Sequence, residues 1–183
     1  TLPPKHPYAK VVVTPAGQIQ PQTWLLGSSG QSAAWAGEQG MDYAYAQFFT
    51  GRQDTGIMDH YRAHLSDGFP GRTLSAVCVS AAPTRQEALE QSLMAANFRV
   101  SLGTGRPVTF VTASQMDAET RSLLTSYVLS NEDTIFVGDY DEVADKLTAF
   151  QDAHHVDELM LISYIDNVQT KVERYRQLAK RLI

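Results

Sequence analysis

The residues best suited to chemistry are Gly27-Ser28-Ser29-Gly30-Gln31-Ser32, which follow the apolar run Thr23-Trp24-Leu25-Leu26 and open a short segment of helical period. A strand that ends on glycine and hands over to a helix leaves backbone N–H groups unpaired at the helix start, where the helix dipole favours an anion. Gly27 and Gly30 let the main chain approach such a guest closely, and Ser29 and Ser32 add hydroxyl donors, so phosphate suits this turn. The same spacing also suits a plain turn in which Ser29 or Ser32 caps the helix and the glycines shape the bend. Other motifs fail here. The second glycine comes too early for a Gly-x-Ser-x-Gly nucleophile elbow, and the segment lacks both the Lys-Ser/Thr ending of a P-loop and the third glycine of a dinucleotide fingerprint.

Elsewhere the reactive side chains have simpler readings. His60 and His64 are spaced to share a metal, but Tyr61 and Leu65 mark the packed face, so a solvated helix is expected and no metal is assigned. His154-His155 precedes a strand and reads as a surface turn, and Cys78, inside an apolar strand, reads as a small buried hydrophobe. Active sites of α/β proteins lie at the C-terminal ends of strands. Gln47, Phe48, Ser80, Ser163 and Tyr164 occupy such positions and are candidates for substrate contact, with ordinary packing as the equal alternative.

These positions need a scaffold, and the sequence supplies one. The chain has 183 residues, 43% of them hydrophobic and 19% charged, with a net charge of −5. That composition fits a globular domain and argues against an electrostatic binder of nucleic acid or anionic membrane. Its longest apolar runs are strand-sized, the lone Cys78 has no disulfide partner, and the first residues lack a signal-peptide pattern; a cytoplasmic setting is the expectation. The chain opens without Met in a Pro-rich stretch, which reads as a fragment.

Strand-like runs alternate with helical ones, predicting an α/β fold with a parallel sheet. The expected strands are Thr23–Leu26, Tyr43–Phe49, Thr73–Ala81 and Glu158–Ile165, each followed by a helix, with a leader at 1–20 that is hairpin-like over Ala9–Ile19. Thr84 and Glu87 have capping-box spacing, Asp139 or Asp141 caps a later helix, and the last helix runs from Val168 to Leu182. Residues 108–138 read as an insertion holding a doubtful strand, Val108–Val111, and one helix. Four strand-helix units in one domain, 1–183, permit an open doubly wound sheet or half of an eight-stranded barrel.

Trp24–Phe49, with Gly-Ser-Ser-Gly-x-Ser-Ala, Glu38-Gln39-Gly40-Met41 and Tyr43-Ala44-Tyr45-Ala46-Gln47-Phe48-Phe49, resembles the central segment of flavin-dependent luciferase-like monooxygenases. His6-Pro7-Tyr8-Ala9, Val137-Gly138-Asp139 and Asp157–Ile165 are similar to further landmarks of that family, in the same order. The resemblance implies a TIM-type (β/α)8 barrel of which this chain is a half-barrel, the C-terminal four units. The family's first half, with its usual catalytic His, has no counterpart here. The resemblance also implies that Gly27, Ser28, Ser29, Gly30 and Ser32 hold the phosphate of FMN and that Leu26 lies near the isoalloxazine ring. The implied activity is oxygenation of a small organic substrate by dioxygen and reduced FMN delivered by a separate flavin reductase, incomplete in this chain alone. The alternative is a noncatalytic flavin- or phosphate-binding half-barrel that associates with itself, as a homo-oligomer, or with an N-terminal half.

Overall fold

The computed structural model describes residues 3–11, 21–50 and 56–183, with the backbone alone at Thr50. Five strands form one parallel sheet: β1 (Trp24–Gly27), β2 (Asp42–Tyr45), β3 (Thr73–Ala82), β4 (Ile135–Asp139) and β5 (Glu158–Ile162). The helices are α1 (Gly30–Glu38), α2 (Gln47–Thr50), α3 (Ile57–Ala63), α4 (Arg85–Thr104), α5 (Ala118–Leu129), α6 (Tyr140–His154) and α7 (Val168–Leu182). The α/β class and parallel sheet expected from the alternating pattern are present. The hairpin expected over Ala9–Ile19 lies, beyond Val11, outside the described residues.

Three local expectations change. Val108–Val111 forms no strand, whereas Ile135–Asp139, inside the stretch read as an insertion, forms β4 against Cys78–Ala82. Its short apolar run ends on Gly138 and Asp139 and so looks like a turn in sequence; β3 gives it a partner because β2 pairs only Thr73–Ser75 and leaves the upper part of that edge available. Tyr43–Phe49 divides into β2 and the one-turn α2, which places Gln47 and Phe48 on a helix rather than in a strand. His154 is buried against Phe150, with ring centroids 4.1 Å apart, and only His155, in the left-handed region at φ 51°, belongs to the turn.

Local signals explain the elements that were legible. Thr84 accepts the Glu87 amide at 3.2 Å, and Asp139 accepts the amides of Asp141 and Glu142 while Glu142 reaches back to the Asp139 N–H at 3.0 Å. At the N-terminal ends of the strands, Asp42 takes the Arg72 amide and Asp157 takes both the Thr73 amide and hydroxyl, tying the sheet together at 2.7–2.8 Å.

Alternation along the strands gives the sheet two different faces. Val77, Val79 and Ala81 pack under α6 and α7, while Tyr43 and Tyr45 pack under α1 and α3. On the opposite face, Cys78 and Ala82 are covered by α4 and α5. Lower on that face the hydrophobics packed against Ala44, Leu74 and Ala76 among the described residues are Trp24, Ile162 and, from α2, Phe48. Leu26 pairs with Ala44 and Met160 with Ala76, so they share this face, and they remain 62% and 51% exposed.

Candidate functional site: the β1–α1 turn and the upper edge of the sheet

Ser29 is the N-cap of α1. Its hydroxyl accepts the Ser32 amide, its own amide donates to Ser32 Oγ, and the Ser32 hydroxyl donates to the Ser29 carbonyl at 2.8 Å. Tyr43, buried in β2, brings its hydroxyl to 3.1 Å from Ser32 Oγ and braces the turn from below. A Cβ on Gly27 would lie 2.6 Å from Ser32 Cβ and closer still to its Oγ, so the turn closes only over glycine. At Gly30 a Cβ would meet nothing nearer than the His60 ring, at 3.4 Å.

The cap is formed, with Ser32 committed to it and half-buried. Ser28 and Ser29 remain exposed, the amides of Gly30 and Gln31 have no intrahelical acceptor, and the first turn of α1 carries no acidic residue. Leu26 projects from the strand end beside this turn on the open sheet face. His60, read from sequence only as part of a solvated helix, is exposed and flanks the turn, its ring centroid 4.4 Å from that of His64. Among the described residues no group of three or more His, Cys, Asp or Glu is placed to hold a metal ion.

The remaining candidates lie along the upper part of the sheet. Gln47 is fully buried; its amide donates to the Thr134 carbonyl at 3.1 Å and its Oε1 has no partner among the described residues. Ser80 is buried in β3. Ser163 is buried and its amide donates to Tyr175 Oη, which in turn donates to the Leu161 carbonyl. Tyr164 stacks on Phe98 at 5.4 Å and on Phe110 at 6.0 Å, and its phenol is raised above the usual range by burial, then by Cys78, with Arg99 opposing.

Arg99 was missed in the sequence. It is 8% exposed, donates to the Phe48 carbonyl at 3.2 Å and to Thr134 Oγ1 and the Thr134 carbonyl at 3.0 and 2.9 Å, and has no carboxylate within ion-pair distance among the described residues. The available signal was its position three residues after Ala96 on the apolar stripe of α4, where a cation must be buried. A cleft of about 480 Å³ lies between α4 and the β5–α7 loop; Tyr164 lines it, and none of Leu26–Ser32 does.

Burial pushes the Cys78 thiol up to about 11, against a smaller opposing effect of Arg99. The thiolate needed for reaction is therefore scarce at neutral pH. Native protein at pH 8 is expected to give no thiol-reagent reaction over minutes and one equivalent after denaturation; rapid reaction of the native protein would contradict the buried assignment.

No family model matches the chain. Among curated proteins it is 28% identical over 182 residues to the uncharacterized protein YwcH of Bacillus subtilis strain 168, covering 95% of this chain and 54% of that one. It is 26% identical over 187 residues to the N-acetyl-S-alkylcysteine monooxygenase of the same organism, covering 100% of this chain and 55% of the relative. The chain thus spans about half the length of the curated relatives it matches. The crystal structure of apo-MsnO8 superposes with a TM-score of 0.73 at 28% identity, over 93% of this chain and 54% of that one. The oxygenating constituent of 3,6-diketocamphane monooxygenase from Pseudomonas putida, a type II Baeyer-Villiger monooxygenase solved with FMN, shares the fold, with a TM-score of 0.52 at 16% identity over 88% of this chain and 48% of that one. The resemblance read from the turn and its flanking strands holds in sequence and in fold: the chain is similar to flavin-dependent luciferase-like monooxygenases.

Proposed function

We propose that this chain is the C-terminal half-barrel of a luciferase-like monooxygenase and that its β1–α1 turn holds the phosphate of FMN. The observation that carries the reading is the turn itself. It presents the Gly30 and Gln31 amides and the Ser28 and Ser29 hydroxyls at an acid-free helix N-terminus, with Gly27 and Ser32 fixing its shape. The residues fit a phosphate ester, and Leu26 offers an apolar surface beside it for a ring. Reduced flavin, when bound, supplies the electrons that activate dioxygen, and in this reading it comes from a separate reductase. The chain's own residues grip the phosphate, orient the ring and keep water off the sheet top through Phe48 and Tyr164.

The apolar face around Leu26, Leu74 and Met160 supports the half-barrel. Its exposed side chains and sheet edges suit burial against the complementary half or a second copy of the chain. Residues 1–183 alone are then expected to bind flavin without oxygenating substrate, which is also how the noncatalytic alternative behaves. Adding the complementary half separates the two, since only a monooxygenase gains turnover.

Replacing Ser29 by Asp tests the cradle. Aspartate keeps the N-cap and favours the helix dipole but places a negative charge where the phosphate would sit. The variant is expected to melt within about 2 °C of the parent, as a cap-preserving exchange worth a few tenths of a kcal/mol should, and to bind FMN at least ~30-fold more weakly by fluorescence titration. Undiminished FMN affinity in this variant would leave only the capping role.

A further inference from the structure

We infer that the cleft between α4 and the β5–α7 loop receives the organic substrate and that its charge selects neutral or cationic molecules over carboxylates. This inference rests on the monooxygenase reading above. The cleft opens at the C-terminal ends of β3 and β5, and its volume of about 480 Å³ suits a small organic ligand. Met94, Tyr164 and Ile165 supply an apolar surface, and Tyr164 is held by its stack with Phe98.

The polar wall decides the class. Glu87, Glu90 and Asp166 line the cleft against a single cation, Arg174. The guanidinium of Arg174 is already engaged: Nη1 donates to the Ala81 carbonyl at 3.0 Å and to Gln91 Oε1, and Nη2 lies 3.9 Å from Glu87. Its charge is thus already faced by Glu87, an acid of the same wall. Glu90 pairs at 2.6 Å with Arg121, which does not line the cleft, and Asp166 has no ion-pair partner among the described residues. An incoming carboxylate therefore meets like charge, whereas an amide or ammonium meets acceptors. The β1–α1 turn, with no acid in its first helical turn, has the opposite preference. The turn follows β1 and the cleft lies beyond β5, three strands away in the order β1, β2, β3, β5. An ester-anchored flavin and a carboxylate-free substrate would thus bind at separate ends of one sheet. The substrate named for the Bacillus subtilis relative, an N-acetyl-S-alkylcysteine, carries a carboxylate, so this cleft points to a different substrate class.

The test compares N-acetyl-S-methylcysteine with its primary amide, two probes of one shape and different charge, by NMR titration of ¹⁵N-labelled protein. The amide is expected to shift the resonances of Ala113, Ile165 and Asn167 and to bind at least tenfold more tightly than the acid. The double variant Glu90→Gln, Asp166→Asn should bring the ratio below about threefold while FMN affinity stays unchanged. Equal or tighter binding of the acid, an unchanged ratio in the double variant, or no shift at these residues with either probe overturns the inference. A parallel FMN titration separates the two ideas. Flavin binding with a carboxylate preference defeats this inference alone, and charge selection without flavin binding defeats the flavin reading.

Discussion

Replacing Gly27 with alanine is expected to weaken FMN binding by about 100-fold and to destabilise the chain by about 1–3 kcal/mol. The new Cβ would stand 2.6 Å from Ser32 Cβ, which the α1 backbone fixes, so rotating the Ser32 hydroxyl away does not relieve the clash. Either β1 or the start of α1 must move. Both alternatives break the reciprocal Ser29–Ser32 bonds, and moving β1 also strains the Ala46 amide bond to the Gly27 carbonyl at 2.8 Å. The amides of Gly30 and Gln31 lose their common aim in the process. Gly30→Ala is the control, because its Cβ meets only the exposed His60 ring at 3.4 Å and alanine favours the helix. It should keep full stability, so that any loss of flavin affinity there reports close approach of the ligand. Calorimetry and flavin titration on the two variants provide the measurement; a stable, flavin-competent Gly27→Ala protein would show that the turn is not held as described.

Arg99→Met is expected to lower the melting temperature by about 6–12 °C, the shift corresponding to roughly 3 kcal/mol in a domain of this size. Removing the guanidinium strips donors from the Phe48 carbonyl, Thr134 Oγ1 and the Thr134 carbonyl at once; among the described residues the last keeps a second donor, Gln47 Nε2. The loss is partly offset because a buried cation without a carboxylate partner is itself costly. Lysine retains the charge but not the fork that reaches two elements together, so Arg99→Lys should fall between the parent and Arg99→Met. The same bonds position the β2–α2 junction, and with it Gln47 and Phe48. A melting temperature within 2 °C of the parent would mean that this junction is held by packing alone.

Much of the scaffold was legible because its signals are local. The helix from Val168 to Leu182 has the predicted bounds, and Thr84, Asp139 and the glycine-bearing end of α4 mark boundaries through bonds made within a few residues. β4 was not legible for the opposite reason. Five residues ending in Gly-Asp carry little strand signal of their own, and what makes them a strand is the unused upper half of β3, more than fifty residues earlier in the chain. The split of Tyr43–Phe49 has the same origin: Gln47 leaves the strand pattern because its amide is drawn to Thr134 and the Phe48 carbonyl to Arg99.

By itself the sequence determined that a strand must break at Gly27-Ser28-Ser29-Gly30 and a helix begin there, since glycine conformation, serine capping and helix-end amides are properties of neighbouring residues. It also determined the parallel α/β class through the alternation of apolar runs. Only the tertiary structure decided what surrounds that turn and what faces it across the sheet: Tyr43 beneath Ser32, buried Arg99 between Phe48 and Thr134, and the acidic wall of Glu87, Glu90 and Asp166. Those arrangements join residues far apart in the chain, and burial, charge balance and clefts arise from such long-range neighbours, whose pairing no local pattern encodes.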